Sequence, residues 1–130
     1  MTEKVLYTAL ILDASSHKAL VSWFARVSGK PLLDMVYAHH ATIKFKPTEG
    51  EVACTSVGLR AYCIVTGWAA DASTQAVTVV GLEVASGVPH VTVACAQGTS
   101  PVRSLDLLGR GYNECDGPLL SGRIEAVMSN

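Results

Sequence analysis

Two short strings in this chain place a histidine and a threonine two positions apart inside an apolar run: Ala38-His39-His40-Ala41-Thr42-Ile43 and Pro89-His90-Val91-Thr92-Val93. Side chains alternate faces along an extended strand. His40 and Thr42 therefore share one face, with Ala41, Ile43 and Phe45 on the other. By the same parity His90, Thr92, Ala94 and Ala96 stand opposite Pro89, Val91, Val93 and Cys95. Two such strands lining one groove would supply two imidazoles and two hydroxyls. Imidazole, with an unperturbed pKa near ~6.5, can remove a proton from an attacking oxygen or deliver one to a leaving oxygen at neutral pH. A threonine hydroxyl two residues along can donate to a phosphate oxygen as charge develops there. The pattern is the raw material of a two-histidine acid–base site, with a bell-shaped pH profile from two groups titrating around neutrality.

Other residues rank behind these four. Lys44 shares the His40 face and is a candidate phosphate contact, or else a solvated charge at a strand end. Tyr7, Tyr62, Trp68 and Tyr112 are candidates for stacking on a nucleobase, and Arg103 for a phosphate near a helix start. His39 has the opposite parity to His40 and is expected to be a partly buried structural histidine. His17 is expected on the exposed side of a helix. Zinc held by His39, His40 and His90 with a cysteine is disfavoured, because adjacent strand residues diverge. No metal and no cofactor is expected.

These side chains must be positioned by a mixed α/β layout. A strand is expected at Val5–Leu12, then a helix over 18–27 with Asp13 and Ser15 or Ser16 offering its start, ended by Gly29 and Pro31. The first His/Thr strand follows at about 38–45, and Pro47-Thr48-Glu49-Gly50-Glu51 reads as a loop. Strands over 60–68 and 76–84 flank an Asp71-Ala72-Ser73 turn, and the chain enters the second His/Thr strand through Ser86-Gly87. Ser100-Pro101 opens a short helix to Leu108 closed by Gly109, before a last strand at Leu119–Met128.

The 130 residues, 49% of them apolar, suffice for one domain with one core. Ten Lys and Arg against eleven Asp and Glu argue against capture of long nucleic acid, so an anionic ligand would be small. No apolar stretch approaches the roughly 20 residues of a membrane span, and Met1-Thr2-Glu3-Lys4 leads into a strand pattern rather than a secretory signal. Cys54, Cys63, Cys95 and Cys115 form no CxxC pair, which suits reduced thiols and a cytoplasmic location.

The paired H-x-T-hydrophobic strings, about 50 residues apart on expected strands, resemble the 2H phosphoesterase superfamily. YTALILD, AHHATI, PHVTVA and SPVRSLDLL are similar to small phage-type members that degrade cyclic-nucleotide alarm signals of bacterial defence, the anti-CBASS type. Repair-type relatives carry Ser-Asn after the second motif, where this chain has Ser104-Leu105. The resemblance implies an α+β fold with antiparallel sheet forming a central groove, two helices packed outside and a pseudo-twofold arrangement. It also implies a metal-independent phosphodiesterase with His40 and His90 as the acid–base pair and Thr42 and Thr92 as phosphate ligands. Processing of 2′,3′-cyclic phosphate RNA ends and ligand sequestration without turnover are the alternatives.

Overall fold

Three helices and eight strands, every strand pair antiparallel, make up the computed structural model, which describes residues 4–85 and 87–128. The strands are β1 Val5–Leu12, β2 Met35–Val36, β3 His40–Phe45, β4 Arg60–Ala70, β5 Thr74–Val80, β6 His90–Cys95, β7 Asn113–Glu114 and β8 Leu119–Met128. The helices are α1 Ala14–Ser28, α2 Glu49–Cys54 and α3 Arg103–Gly109. One sheet runs in the order β2-β6-β5-β4-β8-β1-β3, with β7 paired to β4. This is an α+β architecture of mostly antiparallel sheet. Ser86 and Met1 to Glu3, on which part of the sequence reading rests, lie outside the described residues.

The helix spacing explains what α1 covers. Ser16, Leu20, Trp23 and Phe24 are buried at the recurrence of one helical face; the last three pack with Leu10, Val65, Val77, Val79, Val91 and Leu120, and the Ser16 hydroxyl meets Ser121. Gly29 ends the helix in the left-handed conformation, at φ 65°, which a residue without Cβ adopts at little cost. Asp13 sits at the N-cap, but its carboxylate does not cap the helix. It accepts from Arg60 at 2.6 Å and from the Ser121 hydroxyl at 2.7 Å, and the Arg60 guanidinium holds its pKa below the usual value.

Strand β5 is buried from Thr74 to Val79 because both its faces are covered. Val77 and Val79 face the α1 core, whereas Ala76 packs with Ala69, Leu107 and Leu108 beneath α3. Since Thr78 pairs with His90 and Ala76 with Thr92, the second motif lies on the α3 face of the sheet. Val91 and Val93 point into the core beneath α1.

The two motif strands stand near opposite ends of the strand order, and residues 35–45 bring them together. Met35 and Val36 pair with Cys95 and Ala94, and the amides of Tyr37 and Ala38 donate to the carbonyls of Val93 and Thr92 at 2.8 and 2.9 Å. The chain then leaves β6 for β1, where the Leu12 amide donates to the His39 carbonyl and His40 pairs with Ile11. Beyond β5, the Ala85 amide donates to the Ile43 carbonyl at 2.8 Å, so the loop before β6 borders β3. The frame depends on close backbone approach at one glycine. A Cβ at Gly122 of β8 would collide with the Ile11 carbonyl in the β1–β8 ladder.

Several expected boundaries shift. The segment read as a loop at 47–51 starts α2, because Thr48 and Glu51 form a reciprocal capping box with bonds of 2.9 and 3.1 Å. The expected single strand over 38–45 is interrupted at Ala38. The helix read from Ser100-Pro101 begins as a turn and becomes α-helical at Arg103. The strand read over 76–84 ends at Val80, and β2 and β7 are too short to leave a periodic signal.

Candidate active site

His40, Thr42 and Lys44 project from β3, and His90 and Thr92 from β6. Thr42, Lys44 and His90 line one groove of about 150 Å³, closed on its apolar side by Phe45, Val88 and Leu105. His40 is near enough for the charge of His90 to lower its pKa. One residue of each motif, Thr42 and His90, thus lines the same groove although the two are far apart in sequence, whereas His40 and Thr92 are not among its lining residues.

The His90 Nδ1 lies 2.8 Å from the Val88 carbonyl oxygen. A carbonyl oxygen only accepts, so Nδ1 carries a hydrogen and the lone pair of the neutral ring is on Nε2. The same bond persists in the imidazolium form. His40 is in a different environment: its ring stacks on Tyr7, with centroids 5.3 Å apart and planes at 26°. Burial, then the charges of His39 and His90, push its pKa down to about 4. His40 is therefore a neutral imidazole at neutral pH, and the expectation that both titrations fall near neutrality is corrected.

His39 is also corrected. Strand alternation starts only at His40, and the preceding residue, Ala38, is fully buried at φ 51°. That conformation costs a non-glycine residue about 1–2 kcal/mol, and it is held here by the Ala38 amide bond to Thr92 and the His17 Nδ1 bond to the Ala38 carbonyl at 3.0 Å. The turn brings the His39 ring back to His40, with the two Nδ1 atoms 2.5 Å apart, and sets it edge-on to Tyr37 at 5.9 Å. His39 is an exposed residue beside the acid–base candidate, not a structural histidine turned to the opposite face. His17, expected at the surface, is half-buried. Partial desolvation of the ring against its neighbours, then the charge of His17, lowers the His39 pKa.

Thr92 is turned toward α3. Its Oγ1 lies 2.7 Å from the fully buried Ser104 Oγ and donates weakly to the Pro101 carbonyl at 3.4 Å. Sequence reasoning missed Ser104, although its place one residue into the short helix after the second motif was visible. Because the two hydroxyls share a buried bond, Thr92→Val and Ser104→Ala should be non-additive. Either change alone should lower stability by about 1–3 kcal/mol, and the pair by clearly less than the sum. Thermal and denaturant unfolding of both single variants and the double variant measures this; strict additivity would show that the hydroxyls do not depend on each other.

The remaining candidates are dispersed. Lys44 forms an ion pair with Glu51 at 3.6 Å, so its charge in the groove is shared with α2. Trp68 packs edge-on against Phe24 and lies with the α1 core. Tyr112 sits over Gly67 of β4, Tyr62 is exposed on β4, and Arg103 is exposed at the start of α3. The four cysteines are free, and burial pushes the Cys63 thiol up to about 11, far from a reactive thiolate. Among the described residues, no group of three or more His, Cys, Asp or Glu is placed to hold a metal ion. No helix of the described residues is long and apolar enough to cross a membrane.

The chain matches no known protein-family model, and no curated protein matches it.

Proposed function

We propose that this chain is a metal-independent phosphodiesterase of the 2H phosphoesterase type that opens a cyclic nucleotide or cyclic oligonucleotide signal. The observation that carries the reading is that Thr42 of the β3 motif and His90 of the β6 motif line one groove, with His40 on the strand that supplies Thr42. The environments of the two imidazoles support a division of labour. His40, desolvated and flanked by two other imidazoles, is kept neutral and acts as the base that takes the proton of the attacking oxygen. His90 keeps its Nδ1–H on a carbonyl in both protonation states, and as imidazolium it delivers the Nε2 proton to the leaving oxygen. Thr42 donates to a non-bridging oxygen from the groove wall, and Thr92 joins it only if its hydroxyl leaves both Ser104 and Pro101.

The groove is smaller than the roughly 300–1,000 Å³ of a pocket that encloses a whole ligand. It suits one phosphodiester and its immediate neighbours, with the rest of a larger cyclic ligand outside. The near-neutral charge also suits a small anion better than a long nucleic acid. On this reading the protein works in the cytoplasm, where cyclic nucleotide signals and reduced thiols coexist.

The test is incubation with cyclic mono-, di- and trinucleotides and a 2′,3′-cyclic RNA end in EDTA, with products resolved chromatographically. A linear product from a cyclic nucleotide, formed at the same rate with and without the chelator, is the expected result. Activity confined to the RNA end would move the substrate class. Activity lost to EDTA and restored by zinc or manganese would end the metal-independent mechanism, and tight binding with no product across the panel would identify a sequestering protein.

A further inference from the structure

The His39–His40 contact has a geometry that a chance stack of two rings would not produce. The ring centroids are 4.4 Å apart with planes at 27°, while the Nδ1 atoms are 2.5 Å apart. The centroid separation exceeds the nitrogen separation by almost two ring radii, so the rings meet edge to edge and nearly in plane. This is the arrangement an N–H···N hydrogen bond requires. Two lone pairs, or two N–H groups, would repel at that distance; one Nδ1 carries a hydrogen and the other accepts it. Tyr7 covers the face of His40, and Tyr37 stands edge-on to His39. The αL turn at Ala38, anchored to His17 and Thr92, sets the His39 backbone.

We infer that His39 is a positioning residue whose Nδ1 accepts the Nδ1–H of His40, fixing the His40 tautomer so that its lone pair is on Nε2. The inference rests on the base role given to His40 above. When His40 takes the proton of the attacking oxygen on Nε2, both its nitrogens carry hydrogens, and His39 receives the Nδ1–H of the resulting imidazolium. No bond to His39 forms or breaks in this step. After His90 has given its proton to the leaving oxygen, the surplus proton on His40 and the deficit on His90 are restored by exchange with solvent, which the exposed His39 borders. The titratable groups that act on the pair are Tyr7, Tyr37, His17 and His90, and among the described residues no carboxylate is bonded to either ring. A neighbouring imidazole thus does the orienting that a carboxylate does in other base–orienter pairs.

Long-range proton–nitrogen NMR of the histidine rings in the unmodified protein tests the pairing without substrate. It should show His40 protonated at Nδ1 and bare at Nε2 at neutral pH, and the reverse assignment overturns the inference. In kinetics on the cyclic substrate, His39→Ala should lower kcat on the order of 10²-fold with little change in KM, while scrambling the His40 tautomer. His39→Asn, whose Oδ1 can accept the same hydrogen, should recover most of kcat and the tautomer. An unchanged tautomer and kcat in His39→Ala, or failure of His39→Asn to restore either, would contradict the positioning role. If the unmodified protein turns over nothing in the panel, the functional reading fails while the NMR assignment still decides the pairing.

Discussion

Replacing His40 with alanine should lower kcat on a cyclic nucleotide by about 10²–10⁴-fold, the usual contribution of a positioned acid–base group. The variant should remain folded, because the ring is only half-buried and is flanked by Tyr7 and His39 rather than by the main core. Stability provides a second readout. The folded pKa of His40 lies below its ordinary value of 6.5, at about 4, so below 6.5 the unfolded chain binds the proton more readily. The unmodified protein should therefore lose stability as pH falls from 6.5 toward 4, and His40→Ala should flatten that slope. Steady-state kinetics and denaturant unfolding across this range check both statements. Full turnover in His40→Ala, with the slope unchanged, would remove His40 from the mechanism and from its assigned environment together.

His90→Ala should abolish measurable turnover yet leave ligand binding within about tenfold of the unmodified protein. The removed group transfers a proton in the transition state, and Thr42, Lys44 and the apolar rim of Phe45 and Leu105 still meet the bound ligand. Calorimetry and product analysis on one cyclic dinucleotide separate the two effects. Loss of binding in step with turnover would make His90 a ligand contact rather than a proton donor. The Nδ1 bond to Val88 disappears in this variant, but Val88 is in a partly exposed loop where water can replace it.

Strand parity was legible where the chain is a regular strand and misleading one residue outside it. His40 with Thr42 and His90 with Thr92 share faces because both pairs lie inside β3 and β6. His39 departs from parity because a buried alanine takes a left-handed conformation, and nothing in an Ala-His-His string announces φ 51° at a residue with a Cβ. That conformation depends on His17 and Thr92, both remote in sequence, so it is a tertiary effect. The α2 helix was a different kind of miss. Thr48 and Glu51 stand at capping-box spacing, and the flanking Pro47 and Gly50 obscured a local signal that was present. Among the aromatics, sequence alone could not separate Tyr7, which stacks on His40, from Trp68, which completes the α1 core. Both follow strand patterns, and only the packing of α1 distinguishes their faces. The burial that holds His40 neutral was likewise invisible, since it requires β1, the Ala38 turn and β6 to be in place together.

One imidazole from each motif strand is proposed to transfer a proton at the same phosphodiester. This is tested most directly by kcat/KM against pH in EDTA for the unmodified protein, with the product identified at each point. Activity should rise through an acid limb well below the ordinary imidazole range as His40 loses its proton. A rate independent of pH from 4 to 6.5 and beyond, or one that vanishes on chelation and returns with added metal, would contradict it.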